Sequence, residues 1–279
     1  MELTEVLAQR WGLQVEHLEV LDGGMNSKTW LVDSKLVAKA VKRGDTAFEP
    51  GLELALRLSH EGLTTGAPTP SSAGRLAEPW GDLQVALLDF VDGTPLTGTP
   101  EDQRSIGTTL ARVHAISEAP AGDVEEWFGL VTGLAAYFDL EPWIRPAVES
   151  ALAAVRDLGP LTWAGLHGDP APEAFFRRRN GEIALIDWGS FMTAPLLYDV
   201  ASAVMYAGTP THLVPAYLAA RPELTDEITV GLPAFERFRY AIQAAYFAWR
   251  VSTDERTGLT TDDGNQVGLG HARDWFSSH

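Results

Sequence analysis

Over the first 90 or so residues the apolar positions come in short runs separated by turn residues, and beyond residue 100 they recur at helical spacing. LEVLDGG, TWLVD and KLVAKAV predict strands, with Gly23-Gly24 and Asp33-Ser34 as the turns between them. In FEPGLELALRLSHEGL, residues Phe48, Leu52, Leu56 and Leu63 share one helical face, and GAPTP ends the helix. DLQVALLDFV then predicts a buried strand and DGTPL a turn. From Pro100, EDQRSIGTTLARVHAI, WFGLVTGLAAYFDL and EPWIRPAVESALAAVRDL predict helices. AFFRRRNGEIALIDWG interrupts them as a hairpin, with Asn180-Gly181 as a two-residue turn. Helices resume in LYDVASAVMYAG and AFERFRYAIQAAYFAWRV. This order predicts an α+β chain of two lobes, a small β-rich one over 1–92 and a larger helical one over 93–279.

Composition narrows the function classes. The 279 residues carry 21 basic and 38 acidic side chains, a formal charge of −17, and no cysteine. Disulfides, thiolate metal sites and a cysteine nucleophile are excluded. Such acidity opposes the basic face that nucleic-acid binding needs, and instead draws cationic small molecules. Even YAIQAAYFAWRV contains Gln243 and Arg250, so no membrane helix is expected. MELTEVLAQRWGL lacks the basic start and apolar stretch of a signal peptide, and the expected compartment is the cytoplasm. All four lysines, Lys28, Lys35, Lys39 and Lys42, fall in one short stretch.

Two carboxylates flank the expected hairpin: Asp169 in LHGDPAPEAF and Asp187 in LIDWGS. Phosphoryl transfer asks for such a pair, one to orient or deprotonate the attacking hydroxyl and one to hold magnesium on the nucleotide phosphates. Each alone is an ordinary turn or strand-end aspartate. Together with Lys39 in a strand and Glu49 and Glu53 on the following helix, they stand in the order that protein kinases use.

HGD before a hairpin, IDWG after it, and then PLLYDVA resemble the aminoglycoside phosphotransferase family, which has a bilobal protein-kinase-like fold. The likeness extends over nearly the whole chain through DGGMNSKTWLV, LVAKAV, LLDFVDGTPL and TLARVHAI. It implies ATP, with GTP as an alternative, bound between the lobes with Mg2+. Lys39 would then contact the phosphates, and the backbone of Asp89, Phe90 and Val91 would meet adenine. Asp169 would be the catalytic aspartate and Asp187 a metal ligand.

The likeness is incomplete at two points. Where the family has a metal-binding asparagine, five residues after its catalytic aspartate, this chain has Ala174, and the neighbouring Glu173 is the expected substitute because magnesium accepts carboxylate oxygens. Gly23-Gly24-Met25-Asn26-Ser27 lacks the full glycine-rich spacing, leaving backbone N–H groups and the Ser27 hydroxyl for phosphate. Either Glu49 or Glu53 can orient Lys39, with Glu49 preferred. His167 is expected to be structural, fixing the loop of Asp169.

The acceptor expected from the resemblance is a hydroxyl of a cationic antibiotic. HGDPAPEAF and the chain length point to a tuberactinomycin-type cyclic peptide such as capreomycin, whose phosphorylation confers resistance. Asp254, Glu255, Asp262 and Asp263 are the candidate acceptor contacts. The alternatives are an aminoglycoside kinase, a metabolic kinase for an amino alcohol, amino acid or sugar, and an inactive pseudokinase. A polyamine acceptor predicts several acidic residues around a broad cleft; a small metabolite predicts one charge pair. The sequence leaves monomer and homodimer open.

Overall fold

The computed structural model describes residues 1–21, 27–259 and 261–279. The expected turn at Gly23-Gly24, with Met25 and Asn26, lies outside the described residues. The chain divides into two compact units, Met1–Thr99 with His167–Met192, and Pro100–Leu166 with Thr193–His279. The sequence boundary at residue 92 differs from this division, which gives the segment with both aspartates to the β-rich unit.

The first unit opens with α1 (Leu3–Trp11), which is closed at its start by a Glu2–Glu5 capping box and at its end by Gly12 in the left-handed region. β1 (Leu18–Leu21), β2 (Ser27–Val32) and β3 (Leu36–Lys42) follow, then α2 (Phe48–His60), β4 (Glu78–Trp80), β5 (Leu83–Asp89) and β6 (Thr94–Pro95). The first five strands form one antiparallel sheet in the order β1-β2-β3-β5-β4.

Alternation along β3 decides what each sheet face meets. Ala38 and Ala40 join Leu3, Val6 and Leu7 of α1 in one core cluster with Val85 and Leu87. Val41 and Ala86 pack with Phe48 and Leu52 of α2 in another. Lys39 shares the parity of Val41 and so projects from the face that α2 covers. Burial of each larger apolar side chain here contributes about 1.5–3 kcal/mol.

The second unit begins with α3 (Pro100–Ile116) and β7 (Glu118–Ala119). WFGLVTGLAAYFDL is not one helix: it breaks into α4 (Val124–Trp127), α5 (Gly129–Thr132) and a 3₁₀ turn over Ala135–Leu140. Gly129 and Gly133 interrupt the run, and glycine costs a helix about 1 kcal/mol relative to alanine. α6 (Ile144–Arg156) and β8 (Trp163–Leu166) complete this stretch.

The chain then supplies the first unit with β9 (Phe175–Arg177) and β10 (Ile183–Leu185), which pair with β6 in the order β10-β9-β6. Their connection is a three-residue loop, not the expected two-residue turn. Arg178 N–H bonds to Glu182 O at 2.9 Å, Gly181 N–H to Arg178 O at 2.9 Å, and Gly181 has φ +84°. That is a type I turn closed by a left-handed glycine.

After β11 (Met192–Pro195) the second unit resumes with α7 (Leu197–Ala207), α8 (Leu213–Ala220), the 28-residue α9 (Thr225–Ser252) and α10 (Gly264–Ser278). In its buried interior His114 of α3 bonds to Tyr217 Oη at 2.9 Å and to Asp199 Oδ2 at 3.3 Å. Among the described residues no helix is long and apolar enough to cross a membrane.

Candidate functional site

Lys39, Asp169, Glu173 and Asp187 all belong to the first unit. The Lys39 side chain is 11% exposed and donates a charged hydrogen bond to Asp187 Oδ1. Its strand partner across β2 is Thr29, so Ser27, two residues along, lies on the same sheet face as Lys39.

Asp187 ends the β10 side of the hairpin with φ 69° and ψ 61°. A non-glycine residue in the left-handed region costs about 1–2 kcal/mol, and such strain is held where the surroundings fix it. Desolvation would raise the Asp187 carboxyl, but Lys39, through charge and hydrogen bond, outweighs it; His167 and the Gly189 amide add to the effect, and the carboxyl titrates below its ordinary value. The side chain is 52% exposed, so the ionised carboxylate keeps a face toward solvent.

The turn after Asp187 is seated on α2. A Cβ on Gly51 would stand 2.1 Å from Trp188 O, a distance only glycine allows. Trp188 is buried, and its indole N–H donates to Leu185 O at 3.1 Å and Thr65 O at 3.2 Å. It therefore packs beneath the turn that carries Asp187.

The loop of Asp169 is held by its own two preceding residues. Gly168 has φ +86°, and a Cβ there would lie 1.8 Å from Ser190 O. His167 is buried, with Nε2 2.9 Å from Ile186 O, while its Nδ1 accepts the Asp169 N–H at 3.3 Å. These contacts assign the proton to Nε2, which leaves His167 a structural pin with its ring edge-on to Trp188 at 5.0 Å. Asp169 itself is exposed.

Beyond β9 and β10 the ladder continues with Ile186 N–H on Ala174 O at 2.9 Å, so Glu173 and Asp187 flank its end. Ala174 is buried and Glu173 exposed. Among the described residues no three His, Asp or Glu side chains converge on a metal position.

At the expected adenine contact, the Asp89 N–H is taken by Ala67 O at 2.9 Å and the Phe90 N–H by Lys35 O at 3.1 Å. Val91 lies outside the strands, and its N–H has no partner among the described residues. Of the three residues, only Val91 retains an open donor.

Two expectations differ from what the structure brings together. Lys39 is paired with Asp187, not with Glu49: Glu49 and Glu53 are both exposed on α2, and Glu49 acts electrostatically on Arg75. The spacing of two glutamates identified a helix face but not its rotation toward the strand. The C-terminal carboxylates do not form a free acidic wall. Arg256 lies between Asp254 at 2.8 Å and Asp262 at 4.0 Å, and Glu255 accepts the Thr257 N–H at 2.8 Å. Asp263 stands before α10 without a side-chain capping bond. Fully buried Arg250 anchors this stretch by bonding Asn265 Oδ1 and Thr257 O, each at 2.7 Å.

Sequence reasoning missed Gly51, Gly189 and Ser190. A built Cβ on Gly189 lies 3.5 Å from Asp187 Oδ1 and 3.7 Å from Lys39 Nζ, so this glycine leaves the ion pair open. The G of IDWG was the available signal.

The first comparison is with solved structures. Spectinomycin phosphotransferase with ADP and spectinomycin matches with a TM-score of 0.71 at 16% identity, covering 98% of this chain and 93% of that one. The amicoumacin kinase hAmiN with AMP-PNP, Ca2+ and Ami has a TM-score of 0.73 at 14% identity, covering 100% and 94%. Choline kinase LicA from Streptococcus pneumoniae has a TM-score of 0.67 at 17% identity, covering 99% and 98%. At these identities the likeness establishes the fold, an aminoglycoside-kinase-like α+β arrangement. No curated protein sequence matches significantly. The family model described as "Phosphotransferase enzyme family" matches residues 17–250, well over half of the sequence, and the chain belongs to that family.

Proposed function

We propose that this chain transfers the γ-phosphoryl group of ATP, with magnesium, to a hydroxyl of a cationic small molecule. The observation that carries the reading is the Lys39–Asp187 pair beside the glycine-hinged Asp169 loop, in a chain of the phosphotransferase family.

Each residue has a task that follows from its chemistry. Lys39, a buried cation on a rigid strand, can exchange its carboxylate partner for phosphate oxygens. Val91 N–H is the available donor for the base; GTP remains the alternative nucleotide. Asp169 accepts the proton of the acceptor hydroxyl as its oxygen attacks the γ-phosphorus. The bond from that phosphorus to the β,γ-bridging oxygen breaks, and ADP leaves with the electron pair.

The donor set fits magnesium. Asp187 offers ionised oxygen with one face open, and magnesium takes one or two carboxylates with phosphate and water completing its shell. Glu173, exposed at the other side of the ladder end, is the second candidate ligand. When bound, the ion neutralises charge on the phosphates.

The finer acceptor is a cationic antibiotic, with a cyclic peptide such as capreomycin as first candidate. That candidate rests on HGDPAPEAF and the chain length. An ATP-consuming enzyme of this kind is expected in the cytoplasm. The test is ADP release with Mg-ATP against capreomycin, viomycin, kanamycin, choline and homoserine, with product mass checked for one added phosphoryl group. Transfer to any one of them, abolished by Asp169→Ala with ADP affinity unchanged, supports the reading. Undiminished transfer by Asp169→Ala overturns the mechanism, and no transfer to any acceptor with ATP still bound favours a pseudokinase.

A further inference from the structure

Lys39 takes its counter-charge from the far end of the unit. Protein kinases orient the corresponding lysine by a glutamate on a nearby helix, but among the described residues no carboxylate of α2 pairs with Lys39. The inward face of α2 includes Phe48, Gly51, Leu52, Ala55 and Leu58, all buried, and Gly51 stands against Trp188 O. Glu49 and Glu53, the two acids of this helix, are exposed. The ion pair that Lys39 makes among the described residues is with Asp187, the carboxylate assigned above to magnesium.

The two partners are unequally covered. The Lys39 side chain is 11% exposed and that of Asp187 52%, so solvent reaches the carboxylate far more freely than the ammonium. Lys39 is fixed in β3, with Thr29 of β2 and Ala86 of β5 as its strand partners. Asp187 is fixed by the turn that Trp188 ties to Leu185 O and Thr65 O. With both backbones held, the pair opens by rotation about side-chain bonds. Gly189 leaves room for this beside both groups, since even a Cβ there would stand 3.5 Å from Asp187 Oδ1 and 3.7 Å from Lys39 Nζ.

An anionic phosphate group arriving alone meets the exposed carboxylate first and must strip a covered ammonium of its partner. A magnesium ion arriving alone faces the converse, because Lys39 already neutralises the carboxylate that it would bind. A magnesium–nucleotide complex supplies both replacements together, metal for Asp187 and phosphate oxygen for Lys39. Two ligands that each displace one half of a shared pair are coupled, and the coupling is reciprocal.

We infer that the Lys39–Asp187 pair selects the magnesium–nucleotide complex over free nucleotide and over free metal, each side chain occupying the other in place of its ligand. The inference deepens the reading above, on which it rests in taking Lys39 as the phosphate contact and Asp187 as the metal ligand.

The test is calorimetric titration of the full chain with ADP in EDTA, for wild type, Asp187→Asn, Lys39→Met and the double variant. A half-covered pair lies between exposed and buried ion pairs in strength, so Asp187→Asn should bind metal-free ADP about tenfold more tightly than wild type. In the Lys39→Met background the same change should give no gain, and Glu173→Gln, which removes a charge outside the pair, should give none either. Reciprocally, Mn2+ without nucleotide, followed by its EPR signal, should bind Lys39→Met and Lys39→Gln about tenfold more tightly than wild type, and this gain too should vanish in the double variant. Thermal midpoints confirm that each variant is folded. No gain in Asp187→Asn overturns the inference, as does a gain that survives in Lys39→Met, which would reduce Asp187 to a repelling charge. Equal Mn2+ binding by wild type and both Lys39 variants overturns it as well. The two readings fail apart: ADP bound by wild type with magnesium, but no gain in Asp187→Asn, removes the inference alone, whereas no ADP binding by any of these proteins, with or without magnesium, removes the kinase reading.

Discussion

The carbonyl oxygen of Ser190 occupies the space that a side chain on residue 168 would need, 1.8 Å from the Cβ position, while Gly168 holds φ +86°. The backbone on either side of Asp169 and Asp187 is therefore interlocked through a single missing methyl group.

Gly168→Ala meets two penalties at once. The left-handed backbone alone costs an L-residue about 1–2 kcal/mol, and the overlap with Ser190 O forces the two turns apart. The expected outcome is a stability loss above that conformational cost, measured by urea unfolding, with transfer activity down at least a hundredfold in molecules that remain folded.

At Gly51 two effects of opposite sign compete. Alanine in a helix interior is favoured over glycine by about 1 kcal/mol, yet its Cβ would stand 2.1 Å from Trp188 O. Sterics win because the obstructing atom is backbone. Gly51→Ala is expected to destabilise the protein and weaken ADP binding; a rise in thermal midpoint would refute this.

The Lys39–Asp187 pair sets a pH signature. The Asp187 carboxyl is lowered in the folded state, so its contribution is present above the unfolded value of about 4 and is lost as pH falls through the lower folded value. The stability difference between wild type and Asp187→Asn should be constant from pH 5 to 8 and shrink in stronger acid. A difference that grows on acidification would contradict the pairing. Asp187→Asn should also remove most transfer activity at neutral pH.

Glu173 tests the metal assignment. Glu173→Gln should raise the magnesium concentration for half-maximal activity several-fold and leave ADP affinity without metal unchanged. Equal magnesium dependence in both proteins would leave Asp187 with phosphate and water as the complete donor set.

The strands and the main helices were readable because each is written locally, in the alternation of KLVAKAV and the helical spacing of FEPGLELALRLSHEGL, and HGD and IDWG marked the two aspartates proposed for phosphoryl transfer. What was not readable depends on distance in sequence. The partner of Lys39 lies 148 residues away, whereas the expected partner was Glu49 on the next helix. The neutralisation of Asp254 and Asp262 depends on where one arginine side chain turns. The hairpin loop gained a residue because Arg178 and Glu182 close it, a register that Asn180-Gly181 alone does not fix.

The first unit is discontinuous, interrupted by residues 100–166 and completed only at Met192. During synthesis the ribosome must therefore emit about two thirds of the chain before this unit can close. Until then the nascent segment holds Lys39 without Asp187, and β6 without β9. A gene fragment ending near residue 99 would accordingly encode no stand-alone nucleotide module, and recombination that exchanged this unit between relatives would have to join chain at three places.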